Sequence, residues 1–112
     1  MRDRQPDYNK GYFNEGPFLK YDYAEITVSG GVTDYGVKED GGLFVEVVQG
    51  KYLEISASGA DIYLKMNGSG NKAIPVTNGD SWAVSDFLFT DLYLTNDSVS
   101  DATVTIYMMG HR

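Results

Sequence analysis

Residues 60–110, ADIYLKMNGSGNKAIPVTNGDSWAVSDFLFTDLYLTNDSVSDATVTIYMMG, decide the fold. Apolar side chains recur at every second position, as in Ile62, Leu64 and Met66, in Leu92 and Leu94, and in Val104, Ile106 and Met108. A period of two sets one row of side chains against a core and the other against solvent, which is the pattern of half-buried strands. The breaks between these segments are turn chemistry: Asn67-Gly68-Ser69-Gly70-Asn71 and Asn78-Gly79-Asp80 offer the positive-φ positions that tight turns need.

Upstream, YDYAEITVS places Ile26 and Val28 on one face before Gly30-Gly31. Residues 32–42 are weakly patterned and read as a loop or an edge strand. LFVEVVQ and KYLEISA flank Gly50, and ADIYLKM follows Ser58-Gly59, so three strands are expected to meander through short hairpins. Trp82 to Leu94 is too rich in aromatic and β-branched residues, and too poorly capped, to be a helix. The expectation is all-β: a single antiparallel β-sandwich or jelly-roll-like domain of about eight strands over residues 21–112.

Residues 1–20, MRDRQPDYNKGYFNEGPFLK, have neither period and are punctuated by Pro6, Gly11, Gly16 and Pro17. They read as an extended N-terminal arm. Its anchors Tyr8, Tyr12, Phe13 and Phe18 return less on burial than ordering the backbone costs, so a free monomer leaves much of the arm loose. A sheet edge or a neighbouring subunit would order it.

Composition narrows the function. The 112-residue chain carries nine basic and sixteen acidic residues, a net charge of −7. Arg2, Arg4, Lys10 and Lys20 against Asp3, Asp7 and Glu15 leave the arm at +1, so the remaining five basic and thirteen acidic residues leave the body at −8. Such a body repels nucleic acid. Its acidity either keeps the protein soluble or docks it on a basic partner. The absence of cysteine excludes disulfides and thiolate chemistry and leans towards synthesis in the cytoplasm. Met1 to Lys10 is polar, so no signal peptide is expected, and no apolar run reaches membrane-spanning length.

Chemistry is hard to find. His111 is the single histidine, and it sits where chains fray, a poor place for a triad. No metal-ligand spacing occurs; Asp97 and Asp101 in the loop at 96–101 fit a capped turn better than a calcium site. The pairs Asp86 with Asp91 and Glu46 with Glu54 are explained equally well as solvent-facing positions. The expectation is therefore no enzyme, no cofactor and no catalytic residue. Tyr52, Tyr63, Tyr93 and Tyr107 fall on the outward register, and Trp82 is the single tryptophan. Such aromatics serve cross-strand packing, a protein interface or a sugar platform. The sequons at Asn67 and Asn96 read as accidental.

The stretch from Asp61 to Gly110 resembles the C-terminal part of small all-β virion proteins of tailed bacteriophages. It carries a strand, a Gly/Asn turn, the Pro-containing strand Ala73-Ile74-Pro75-Val76, the turn Gly79-Asp80, and strands like Asp91 to Thr95 and Ala102 to Tyr107. That family includes capsid decoration (cement) proteins, head fibres, and neck or tail components, often homotrimeric, and offers no catalytic residues to carry over. The resemblance implies a virion structural protein, most concretely a decoration protein that binds copies of itself and the major capsid protein. The contacts expected are Tyr8, Tyr12, Phe13 and Phe18 in the arm with Trp82 and Tyr107 on the body. A neck, tail or receptor-binding position, or a carbohydrate-binding β-sandwich, is the alternative.

Overall fold

The structure is a computed structural model that describes residues 19–112. The arm to residue 18, with Tyr8, Tyr12, Phe13 and Phe18, lies outside the described residues, and Leu19 and Lys20 already belong to the first strand. The strands are β1 (Leu19–Val28), β2 (Val32–Gly36), β3 (Gln49–Ser58), β4 (Ile62–Met66), β5 (Ile74–Val76), β6 (Ser81–Phe89), β7 (Leu92–Asn96) and β8 (Ala102–His111). They form two antiparallel sheets, ordered β1-β8-β3-β6 and β2-β7-β4-β5. The described residues contain no helix, as the sequence predicts.

Alternation builds the core between the sheets. Strands β4 and β7 bury every second residue, and β8 buries Ala102, Val104, Ile106, Met108 and Gly110. Leu53, Ile55 and Ile106 from one sheet meet Ile62, Leu64 and Leu94 from the other, all fully buried. Each stabilises the fold by about 1.5–3 kcal/mol. Pro75 can stand in β5 because that strand is a sheet edge, where a missing N–H costs no ladder bond. The weakly patterned region supplies β2, an edge strand kinked between Val32 and Tyr35 with Asp34 at φ 52°.

Four sequence expectations fail, each for a physical reason. LFVEVVQ is not a strand: residues 43–48 run irregularly, with Phe44 at φ 63° and its side chain buried. Two backbone N–H groups of that segment, from Glu46 and Val47, donate instead to the Asp22 carboxylate at 3.1 and 2.9 Å. Gly50 is not a turn but an interior residue of β3, where the Phe89 ring lies over its Cα and any Cβ would collide with it. The meander also fails, because β3 and β4 belong to different sheets. Only β4 and β5 are consecutive strands paired with each other. His111 does not fray: it closes β8 between Leu19 and Gln49, and its carbonyl accepts from the Val48 N–H at 2.8 Å.

Candidate functional site

The first sheet turns its inner face to the core and leaves its outer face uncovered among the described residues. On β1 the outward positions are Tyr21, Tyr23, Glu25 and Thr27, opposite in parity to Ile26 and Val28. Register carries this face across the sheet: Tyr21 sits opposite Met109, which sits opposite Tyr52, while Tyr23 sits opposite Tyr107, which sits opposite Glu54. Tyr107 is the hub. Its ring centroid is 6.3 Å from Tyr21 at 55° and 6.3 Å from Tyr52 at 73°, tilted arrangements that aromatic pairs favour. Tyr21 and Tyr23 remain 66% and 64% exposed, although tyrosine is a good interface anchor.

Beyond the rings the face turns to Thr105, Ser56 and Thr103, small polar side chains. The Tyr52 hydroxyl donates to Glu54 Oε1 at 3.1 Å. That bond, then burial and the charge of Glu54, raises the Tyr52 pKa above the ordinary tyrosine value. The Tyr52 phenol therefore stays neutral under any physiological condition. A raised folded-state pKa means that this phenol favours the fold fully below its unfolded value, and loses that contribution as pH rises through the folded one. In a spectrophotometric titration near 295 nm, Tyr52→Phe should remove a component that titrates late; loss of an early component would contradict the Glu54 bond.

The other sequence-singled residues are scattered. Trp82 is half-buried and pairs with Ile55 on the inner side of the first sheet, so it does not share a face with Tyr107. It lines an apolar recess of about 180 Å³ with Met66, Ile74, Val84 and Phe87, on the side of the sandwich where edge strands β5 and β6 lie. Tyr63 and Tyr93 are on the outer face of the second sheet, where Lys65 Nζ pairs with Asp34 at 3.1 Å. Burial, then the charges of Asp91, Glu39 and Asp34, raise the Tyr93 pKa. Tyr21 and Tyr23 were missed, although their parity against Ile26 and Val28 is legible in the sequence.

The candidate chemical sites dissolve into structure. Asn96 is fully buried, and its amide donates to the Val28 and Ser100 carbonyls at 3.0 and 2.8 Å, so it is no glycan acceptor. Its Oδ1 accepts from the Ser98 N–H, the capped turn expected there, and Asp101 accepts from the Gly30 N–H. Asn67 is likewise engaged, donating to the Leu88 carbonyl and accepting from the Thr90 N–H. Glu46 lies 3.7 Å from Arg112, whereas Glu54 holds Tyr52. Among the described residues no group of three or more His, Asp or Glu is placed to hold a metal ion.

No protein-family model matches the chain, and no curated protein matches it in sequence. Solved structures do match in fold. A de novo designed double-stranded β-helix aligns at a TM-score of 0.52 and 21% identity, over 78% of this chain and 97% of the design. A cupin family protein with a double-stranded β-helix fold from Methanocaldococcus jannaschii aligns at 0.53 and 9% identity, over 81% of this chain and 71% of that one. An oxalate oxidase in complex with the substrate analogue glycolate aligns at 0.50 and 13% identity, over 79% of this chain and 41% of the enzyme. At such identities the likeness is one of fold. It corrects one expectation: an enzyme shares this framework, so the all-β architecture does not exclude catalysis.

Proposed function

We propose that this chain is a structural protein of a tailed-bacteriophage virion, a capsid decoration protein that assembles as a homotrimer. The tyrosine face of its first sheet would seat on the major capsid protein. The observation that carries this reading is the ring cluster of Tyr21, Tyr107 and Tyr52 with Tyr23 beside it, on the outer face of the first sheet. Two-thirds exposure of two tyrosines leaves apolar area that a partner would bury, and central aromatic anchors carry much of an interface's energy. The virion setting is supported by the sequence resemblance of residues 61–110. It is further supported by strand order: β1-β8-β3-β6 facing β2-β7-β4-β5 reads as a jelly roll, an architecture that viral capsid domains use.

The test is binding of the full-length protein to purified heads, with particles counted by mass spectrometry. Decoration requires hundreds of copies per particle, whereas a neck or tail position requires about a dozen or fewer under the symmetry of those parts. Tyr21→Ser combined with Tyr23→Ser, the two most exposed rings of the face, should weaken head binding about tenfold or more while leaving circular dichroism nearly unchanged. Retained head binding by that variant would remove the face from the interface. Glycan binding lost in the same variant would assign the face to sugar instead.

A further inference from the structure

We propose that the tyrosine face of the first sheet recognises arginine, presented on a basic segment of the partner protein, by ring stacking backed by the carboxylates of Glu25 and Glu54. This rests on the docking reading above and names the chemistry of what docks. Across β1, β8 and β3, one row of the outer face reads Tyr23, Tyr107 and Glu54, and the next reads Glu25, Thr105 and Ser56. Both carboxylates therefore border the Tyr23 and Tyr107 rings, and both are exposed. Neither these two rows nor the row of Tyr21, Met109 and Tyr52 carries a lysine or an arginine. Among the described residues the ion pairs are Lys65 with Asp34 and Arg112 with Glu46, so neither Glu25 nor Glu54 meets a cation there.

Charge selects the occupant. An apolar partner seated on these rings would take Glu25 and Glu54 out of water with nothing to pair them, a cost that a cation removes. Geometry then selects arginine among cations. A guanidinium is planar and stacks on an aromatic face while its fork of N–H groups meets a carboxylate, whereas an ammonium is a compact, strongly hydrated point charge. Glu54 is already aimed: its Oε1 accepts from the Tyr52 hydroxyl at 3.1 Å, beside the Tyr52 and Tyr107 ring pair. A carboxylate held in this way loses less freedom when it is engaged. Glu25 stands two residues beyond Tyr23 on β1, so a guanidinium laid on the Tyr23 and Tyr107 rings has one carboxylate on the β3 side and another along β1. At longer range, residues 21–112 carry five basic against thirteen acidic groups, a field that steers a basic segment inwards.

The test is a nuclear magnetic resonance titration of the full-length protein with a short serine peptide carrying arginine at alternate positions, and with the same peptide carrying lysine instead. Amide shifts should centre on Tyr23, Glu54 and Tyr107, and the lysine peptide should bind about threefold or more weakly. Glu25→Gln combined with Glu54→Gln removes both charges yet keeps an oxygen for the Tyr52 hydroxyl, so the ring cluster stays in place. That variant should bind the arginine peptide about fivefold more weakly and lose most of the salt dependence. No binding, equal binding of the two peptides, shifts centred on another face, or full binding by the double variant would each overturn the inference. Head binding measured in parallel separates it from the reading it rests on. Heads bound through the tyrosines but indifferent to the two glutamine substitutions would overturn the arginine assignment alone. An arginine-selective face on a protein that ignores heads would sustain the assignment and overturn the virion reading.

Discussion

Phe89→Ala is expected to cost about 3–5 kcal/mol of unfolding free energy, among the largest losses any single truncation here can produce. Phe89 is fully buried in β6, with Phe44 edge-on at 6.0 Å and 75°. Its ring fills the space over Gly50 in the next strand, a place no other residue can share. Gly50→Ala should therefore be damaging in its own right, by about 1–3 kcal/mol, since a packed core meets an added methyl with strain. The two positions must couple. Combining Gly50→Ala with Phe89→Leu, which frees room over the glycine, should cost at least about 1 kcal/mol less than the sum of the separate losses. Urea denaturation of the four proteins of the cycle measures this; strict additivity would mean that the ring does not press on β3.

Asn96→Ala should cost about 2–4 kcal/mol, out of proportion to the few atoms removed. The Asn96 amide ties β1 to the loop before β8 by donating to Val28 and Ser100 carbonyls, and its oxygen accepts from both the N–H and the hydroxyl of Ser98. Truncation strands the Val28 carbonyl in a buried site, where its loss is felt in full, while the Ser98 and Ser100 groups lose partly buried bonds. Asn96→Asp is the sharper test. An ionised carboxylate keeps the Ser98 bonds but turns an acceptor towards two carbonyl oxygens, so it should be at least as harmful as alanine at neutral pH. On acidification the introduced carboxyl gains a proton and can donate, so this variant should recover stability relative to Asn96→Ala. Thermal midpoints of both variants between pH 4 and 7 would decide it; a gap independent of pH would mean that the side chain does not face those carbonyls.

The reading from sequence succeeds where burial is local and repetitive. Strands β4, β7 and β8 alternate cleanly because each lies with one face on the core and one in solvent. It fails where a residue serves a distant one. Gly50 looks like a turn because glycine usually buys backbone freedom, but here it makes room for a ring thirty-nine positions later in the chain. LFVEVVQ carries the composition of a strand, yet two of its N–H groups, those of Glu46 and Val47, are satisfied by the carboxylate of Asp22, a side chain no local pattern reveals. The outward tyrosines were half legible, since parity marks Tyr52 and Tyr107, whereas their meeting with Tyr21 depends on β1 finding β8. Trp82 shows the limit of counting aromatics: its place beside Val84 on the inward register sends it to a recess instead of the open face.

The pairing of β1 with β8 alone also bears on how the molecule is made. Val28 must wait for Ala102, so during synthesis at about 5–20 residues per second the emerging chain holds its first strand unmatched for several seconds. Throughout that interval Tyr21, Tyr23 and Ile26 are available to neighbouring nascent chains on the same message. An unmatched strand edge of this kind is aggregation-prone until its partner arrives, and that interval closes only when β8 has emerged.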